Sequence, residues 1–185
     1  KAIAVGHGPI LQNHVKFWKD KYSEWSNNKS KGNEFVAVCY ISDYGFCDRL
    51  SQSLSHGITK ADAQVQLIDL RSSDSQELTA LITEAKAVVI PTWPLEYDID
   101  LKESIGTLFA SLKPKQLTGI YDSFGGDDEP IDSIANKLRA LKQKEVIAPL
   151  RVKENPNPII YQEFEEAGTD IGQLINKKKN IASIK

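Results

Sequence analysis

The chain has 185 residues, 41% of them hydrophobic and 26% charged, with a formal net charge of −2. That length buries a sizeable core without a metal or disulfide staple, and the near-neutral balance excludes a general nucleic-acid or membrane-surface binder. No apolar run reaches membrane-spanning length, and two cysteines make no disulfide framework and fit a reducing, cytoplasmic setting.

The sequence begins at Lys1 and holds no methionine, which reads as an excised piece of a longer protein. Residues 1–34 stand apart from the rest. A short apolar run (2–5) leads into the turn GHGP, and Leu11, Val15, Trp18, Tyr22 and Trp25 then follow a helical stripe. The polar stretch 26–33 reads as a linker.

From residue 35 strand-like and helix-like segments alternate. FVAVCYI (35–41) predicts a buried strand, and DRLSQSLSHGI (48–58) a helix with Leu50, Leu54 and Ile58 on one face. QVQLIDL (64–70) is the next strand, after which Asp74 can cap a helix whose Leu78, Leu81 and Ile82 point inward. AVVIP (87–91) is a short strand, followed by a loop and a helix carrying Leu101, Ile105, Leu108, Phe109 and Leu112. QLTGIYDS (116–123) is a strand, and an acidic glycine loop leads to a helix at about 130–143. EVIAPLRV (145–152) reads as the last strand and 159–178 as the last helix, with the lysines 177–179 as its solvated end.

Five near-continuously apolar strands separated by helices predict a doubly wound α/β domain over 35–185. Its leading topology is a flavodoxin-like five-stranded parallel sheet of order 2-1-3-4-5, with residues 1–34 as an N-terminal helical extension. Ligands in such sheets bind outside the carboxyl ends of the strands, at the switch point. Three loops, 42–47, 91–100 and 122–129, therefore form the candidate site.

A flavin or nucleotide phosphate would sit in the first loop, held by backbone N–H groups and the helix N-terminus. Ser42, Tyr44 and Gly45 supply hydroxyls and a flexible turn, whereas Asp43 and Asp48 bring carboxylates. Asp48 has an alternative reading as an N-cap or dipole partner. Cys47 opens the helix, where a thiolate is favoured but its acidic neighbours oppose ionisation; Cys39 lies in an apolar run and reads as a small buried hydrophobe. In the second loop Trp93 and Tyr97 are flat side chains able to cover a ring system. Pro94 removes a backbone donor there, and Glu96, Asp98 and Asp100 add charge. The third loop offers Phe124, with Gly125 and Gly126 for close backbone approach, followed by Asp127, Asp128 and Glu129. A response-regulator receiver is discounted, because Pro91 stands where an aspartate would end the third strand. His14 and His56 read as surface residues.

The segments "AVGHGPIL", "YSEWS", "VAVCYISDYGFCDRLSQSLSHGITK", "IDLRSSDSQEL" and "APLRVKENP" resemble the flavodiiron proteins, most closely the cyanobacterial type with an added flavin reductase module. The resemblance spans essentially the whole chain: 1–34 as the end of a metallo-β-lactamase-like domain with its linker, 35–185 as the flavodoxin-like domain. It implies an oxygen reductase that uses NAD(P)H, a photoprotective electron outlet in cyanobacteria, with FMN in the flavodoxin-like domain and a diiron centre in the other. It also implies head-to-tail pairing, as a homodimer or as a hetero-oligomer with a related flavodiiron subunit. His7 matches the family's last iron-ligand position. The flavin contacts map onto Ser42, Asp43, Tyr44, Gly45, Phe46 and Cys47, onto Thr92 and Trp93, and onto Ser123, Phe124, Gly125 and Gly126. Cys47 stands where the family more usually has threonine, and Phe46 and Pro94 stand where it has asparagine. The acids of the three loops therefore leave a second reading open: a flavodoxin-like module with weak or lost FMN binding that serves mainly in subunit pairing.

Overall fold

A computed structural model of the chain describes residues 15–17, 20, 34–42, 46–93, 99–122, 129–152 and 156–182, with 129–130 and 178–182 by their backbone only. The chain divides into two units, Lys1–Asn33 and Glu34–Lys185. In the first, residues 15–17 and 20 are helical, with Val15 partly buried and Phe17 exposed. Leu11, Trp18, Tyr22 and Trp25 of the expected stripe lie outside the described residues.

The second unit alternates strand and helix throughout. In chain order it comprises β1 (Phe35–Tyr40), α1 (Cys47–Lys60), β2 (Gln64–Asp69), α2 (Ser75–Glu84) and β3 (Ala87–Pro91). It continues with α3 (Ile99–Ser111), β4 (Leu117–Tyr121), α4 (Glu129–Ala140), β5 (Lys144–Glu145) and α5 (Pro158–Ala182). The strands form one parallel sheet in the order β2-β1-β3-β4-β5, the flavodoxin-like topology that the apolar runs predict. Strands β3 and β4 are buried along their whole length and β1 as far as Cys39, as strands covered on both faces must be. Edge strand β2 exposes Gln64 and Leu67.

Local chemistry sets the element ends. Asp74 caps α2, its Oδ1 accepting from the N–H groups of Gln76 at 2.8 Å and Glu77 at 3.3 Å. Buried Gln116 joins the end of α2 to the start of β4: its Nε2 donates to the carbonyls of Ile82 and Ala85, and its Oε1 accepts from the Lys113 N–H.

Helices α1 and α5 pack backbone to backbone. A Cβ on Gly57 would stand 1.8 Å from the Glu165 carbonyl oxygen, and one on Gly168 would stand 2.2 Å from that of Leu54. Side chains along the seam tie the two helices. Thr169 Oγ1 donates to the Gly57 carbonyl at 3.3 Å and Asn176 Nδ2 to the Ala61 carbonyl at 2.6 Å. On the outside Glu165 accepts from Lys60 and lies 2.9 Å from Nδ1 of the exposed His56.

The last strand differs from the expected 145–152. Leu117 pairs with Lys144 and Tyr121 bridges Leu150, so six residue steps on the edge run beside four on β4. The two extra residues break the ladder between Val146, which still donates to the Thr118 carbonyl, and Leu150, which donates to that of Ile120. Pro149 has no N–H to offer a ladder, and Ile147 packs over Gly119, where a Cβ would come within 3.0 Å of it. Such an interrupted edge is a poor template for further strand pairing.

Two outcomes follow for stability. Gly57→Ala should cost about 3 kcal/mol or more in denaturant unfolding, because a helix must move to admit the methyl group. Gly106→Ala, mid-helix in α3 with open space around its Cβ, should instead stabilise by about 0.5–1 kcal/mol; equal effects at the two sites would contradict the packing described. The hydrogen bonds from Lys60 and then His56 hold the Glu165 carboxyl below its usual range. A depressed carboxyl adds stability above its unfolded pKa and loses it as the pH falls through the folded value. Glu165→Gln should therefore flatten the acid limb of the stability curve, and an unaltered limb would show that the pair contributes nothing.

Candidate functional site at the parting of the sheet

The sheet opens at one place. Strand β1 stays paired with β2 to its last residue, Tyr40 opposite Asp69, and β3 stays paired with β4 to Pro91 opposite Tyr121. Between β1 and β3 the pairing stops earlier, at Val38 opposite Val89. Chain order reverses at this same boundary, so the parted carboxyl ends form the crevice in which doubly wound sheets bind ligands.

Buried polar atoms close the floor of the parting. The hydroxyl of Tyr121, reaching past β3, donates to the Cys39 carbonyl at 2.7 Å and lies 3.2 Å from Cys47 Sγ. Cys47 Sγ in turn accepts from the Ile41 N–H at 3.0 Å. The Tyr121 ring meets Phe164 of α5 edge to face, centroids 5.9 Å apart. Burial above all, then the Cys47 thiol, pushes the Tyr121 phenol well above its usual range, and burial does the same to the Cys39 thiol.

The first loop shows where its residues are spent. Cys47 begins α1 with its thiol fully buried and accepting from the Ile41 N–H. Phe46 is the N-cap residue, half-buried against the core and without a side-chain cap bond. Asp48 is therefore not the N-cap. It stands exposed in the first turn, with Oδ1 accepting from the Arg49 N–H at 2.8 Å, which is the dipole-partner reading. Ser42 is exposed at the start of the turn. Burial, then Asp69, then Asp48 raise the Tyr40 phenol above its usual range.

At the ends of β3 and β4, Thr92 and Asp122 are buried together, with Thr92 Oγ1 donating to Asp122 Oδ1 at 3.0 Å. The Thr92 N–H donates to the Tyr121 carbonyl and the Asp122 N–H to that of Leu150, both at 2.8 Å. This pair joins the bases of the second and third loops. Sequence reasoning assigned no role to Asp122; its signal is an acid directly closing an apolar strand at the carboxyl edge. Trp93 is half-buried and meets Phe109 of α3 edge to face at 6.1 Å, while Lys137 Nζ stands 3.9 Å above the Phe109 ring.

His7, Asp43, Tyr44, Gly45, Pro94, Glu96, Tyr97, Asp98, Ser123, Phe124, Gly125, Gly126, Asp127 and Asp128 lie outside the described residues. Among the described residues no cluster of His, Cys, Asp or Glu is arranged to hold a metal ion, and no helix is long and apolar enough to cross a membrane. A cleft of about 450 Å³ opens at the other, amino end of the sheet, lined by Glu34, Lys86, Lys113, Lys115 and Gln116 among others. Lys86 is paired there with Glu34 at 2.7 Å.

No protein-family model matches the chain. Diflavin flavoprotein A 1 of Synechocystis sp. is 40% identical over 183 residues, which are 99% of this chain and 32% of that protein. The chain thus spans about a third of the length of the curated relatives it matches. The crystal structure of a diflavin flavoprotein A3 from Nostoc sp. superposes with a TM-score of 0.76 at 35% identity, covering 82% of this chain and 99% of that one. The Flv1 flavodiiron core of Synechocystis sp. PCC6803 superposes at 0.78 with 29% identity, over 96% of this chain and 44% of that one. Sheet order, the parted switch point and near-complete coverage at these identities agree: the chain belongs to the flavodiiron family, among its cyanobacterial-type diflavin flavoproteins, and carries their flavodoxin-like domain.

Proposed function

We propose that residues 35–185 are the FMN-type electron-transfer domain of a flavodiiron oxygen reductase. Residues 1–34 are then the end of its metallo-β-lactamase-like domain with the linker. The observation that carries this reading is the separation of β1 from β3 beside a turn that opens α1 without a side-chain cap. An uncapped helix start leaves backbone N–H groups and the positive end of the dipole facing an anion, which suits the phosphate of FMN. Bound FMN would supply one- and two-electron transfer.

The chain's own residues bind and orient. The Ser42 hydroxyl and the N–H groups at the start of α1 would hold the phosphate, with Asp43, Tyr44, Gly45, Phe46 and Cys47 as the turn's other candidate contacts. Trp93, braced by Phe109, covers the ring system, and Thr92 holds the second loop to Asp122. Ser123, Phe124, Gly125 and Gly126 would be the third loop's contacts to the flavin. In the full-length protein, NAD(P)H or a flavin reductase module is the electron source. His7 would be one ligand of a diiron centre in the full-length protein, which would supply the reduction of O2 to water as a cytoplasmic, photoprotective electron outlet. Subunits pair head to tail, as a homodimer or with a related flavodiiron subunit.

A specific observation favours the alternative, a module with weak or lost FMN binding that serves in subunit pairing. Asp48 stands exposed in the first turn of α1 and Asp69 ends β2 opposite Tyr40, and a carboxylate close to a phosphate costs about 1–4 kcal/mol.

Titrating the purified chain with FMN separates the two. The electron-carrier reading expects saturable quenching of flavin fluorescence with a Kd in the micromolar range or below. It also expects binding to tighten as ionic strength rises from about 0.01 M to about 0.15 M, because salt screens the acids from the phosphate. Absence of saturable quenching at tens of micromolar FMN would leave only the pairing module.

A further inference from the structure

The cleft at the amino edge of the sheet has no part in the flavin reading. It opens between the ends of α2 and α3 and the starts of β3 and β4, and its volume of about 450 Å³ lies in the range of sites that take small organic molecules. Buried Leu117 and Ile175 supply its apolar part, and Lys86, Lys113 and Lys115 stand exposed around it. Lysines that follow a helix commonly serve its last carbonyls and the negative end of its dipole. Here other groups hold those carbonyls. Gln116 Nε2 donates to those of Ile82 at 2.8 Å and Ala85 at 2.7 Å, and the Gln116 N–H donates to that of Lys113 at 3.1 Å. Ser111 Oγ takes the Thr107 carbonyl at 2.7 Å. The ends of both helices are thus satisfied without the ammonium groups. Lys86 is paired with Glu34 at 2.7 Å, whereas among the described residues Lys113 and Lys115 make no ion pair.

We propose that this cleft binds a small organic polycarboxylate, with Lys113 and Lys115 meeting its carboxylates and Leu117 and Ile175 lying against its carbon frame. The backbone donors at the cleft are already used. The N–H groups of Lys86 and Lys144 go to the carbonyls of Phe35 and Gln116, and that of Lys113 goes to Gln116 Oε1. A compact phosphate is held best by convergent backbone N–H groups at a helix N-terminus, and the cleft presents helix C-termini instead. Its free donors are ammonium groups, point charges on separate flexible stems. Two of them on either side of Pro114 suit charges spread along a carbon frame. Glu84, exposed on the same cleft, opposes the ligand and limits its affinity.

Citrate is the probe, titrated into the isotope-labelled chain at constant ionic strength and followed by amide shifts, with inorganic phosphate in a parallel series. Saturable shifts are expected at Lys86, Lys113, Lys115 and Gln116, with phosphate binding more weakly. Lys113→Gln and Lys115→Gln should each weaken citrate about threefold, and Glu84→Gln should tighten it about twofold. Lys102→Gln makes the same change of charge at the far end of α3, beyond a Debye length, and should alter affinity by less than about 1.5-fold. Shifts that do not saturate at tens of millimolar citrate, or equal weakening in Lys102→Gln, would reduce the effect to general surface charge and overturn the proposal. Phosphate binding as tightly as citrate would overturn the assignment to a polycarboxylate. Unchanged affinity in both Lys113→Gln and Lys115→Gln would remove the two lysines from the site and the proposal with them.

Discussion

Strands β1 and β3 stop pairing two residues before β1 ends and two before β3 ends, and the carboxyl edge of the domain is organised around that gap. Each strand keeps its other neighbour to the last residue, so the opening is a separation of two intact half-sheets and not fraying. A separated pair leaves backbone groups without ladder partners, and buried ones must be satisfied. The Tyr121 hydroxyl takes the Cys39 carbonyl and the Cys47 thiol takes the Ile41 N–H. The crevice thus has a floor of neutral, mutually bonded side chains, with α5 braced behind it through Phe164.

Charge rather than shape limits what this crevice can hold. The start of a helix favours an anion by about 0.3–1 kcal/mol at an exposed site, whereas a nearby carboxylate opposes a phosphate by about 1–4 kcal/mol. Asp48 illustrates the competition. Its carboxylate already uses the Arg49 N–H, so it takes both a donor and part of the dipole that a phosphate would use. On the flavin reading, net affinity would then depend on several convergent backbone donors and on ring contacts such as Trp93.

Most of the architecture was legible in the sequence, because central parallel strands are apolar on both faces and the helices keep one apolar stripe. The Asp74 cap and the boundaries of β3 could be read to the residue. What could not be read depends on distant parts of the chain. Nothing local reveals that Ile147 settles over Gly119 and turns the expected last strand into a two-residue ladder with a later bridge. The inward thiol of Cys47 depends on a tyrosine 74 positions away, and the Thr92–Asp122 pair joins residues 30 apart. By residue type Cys47 belongs to the turn; in the fold its thiol is buried and accepts from the Ile41 N–H.

Amide shifts of the isotope-labelled chain on addition of FMN test the central claim, that ligands enter where β1 and β3 part. The largest changes are expected at Ser42, Phe46, Cys47 and Trp93, with Lys86, Lys113, Lys115 and Gln116 at the amino-end cleft unaffected. Shifts concentrated at that cleft, with Ser42 and Cys47 unmoved, would contradict a site at the parting of the sheet.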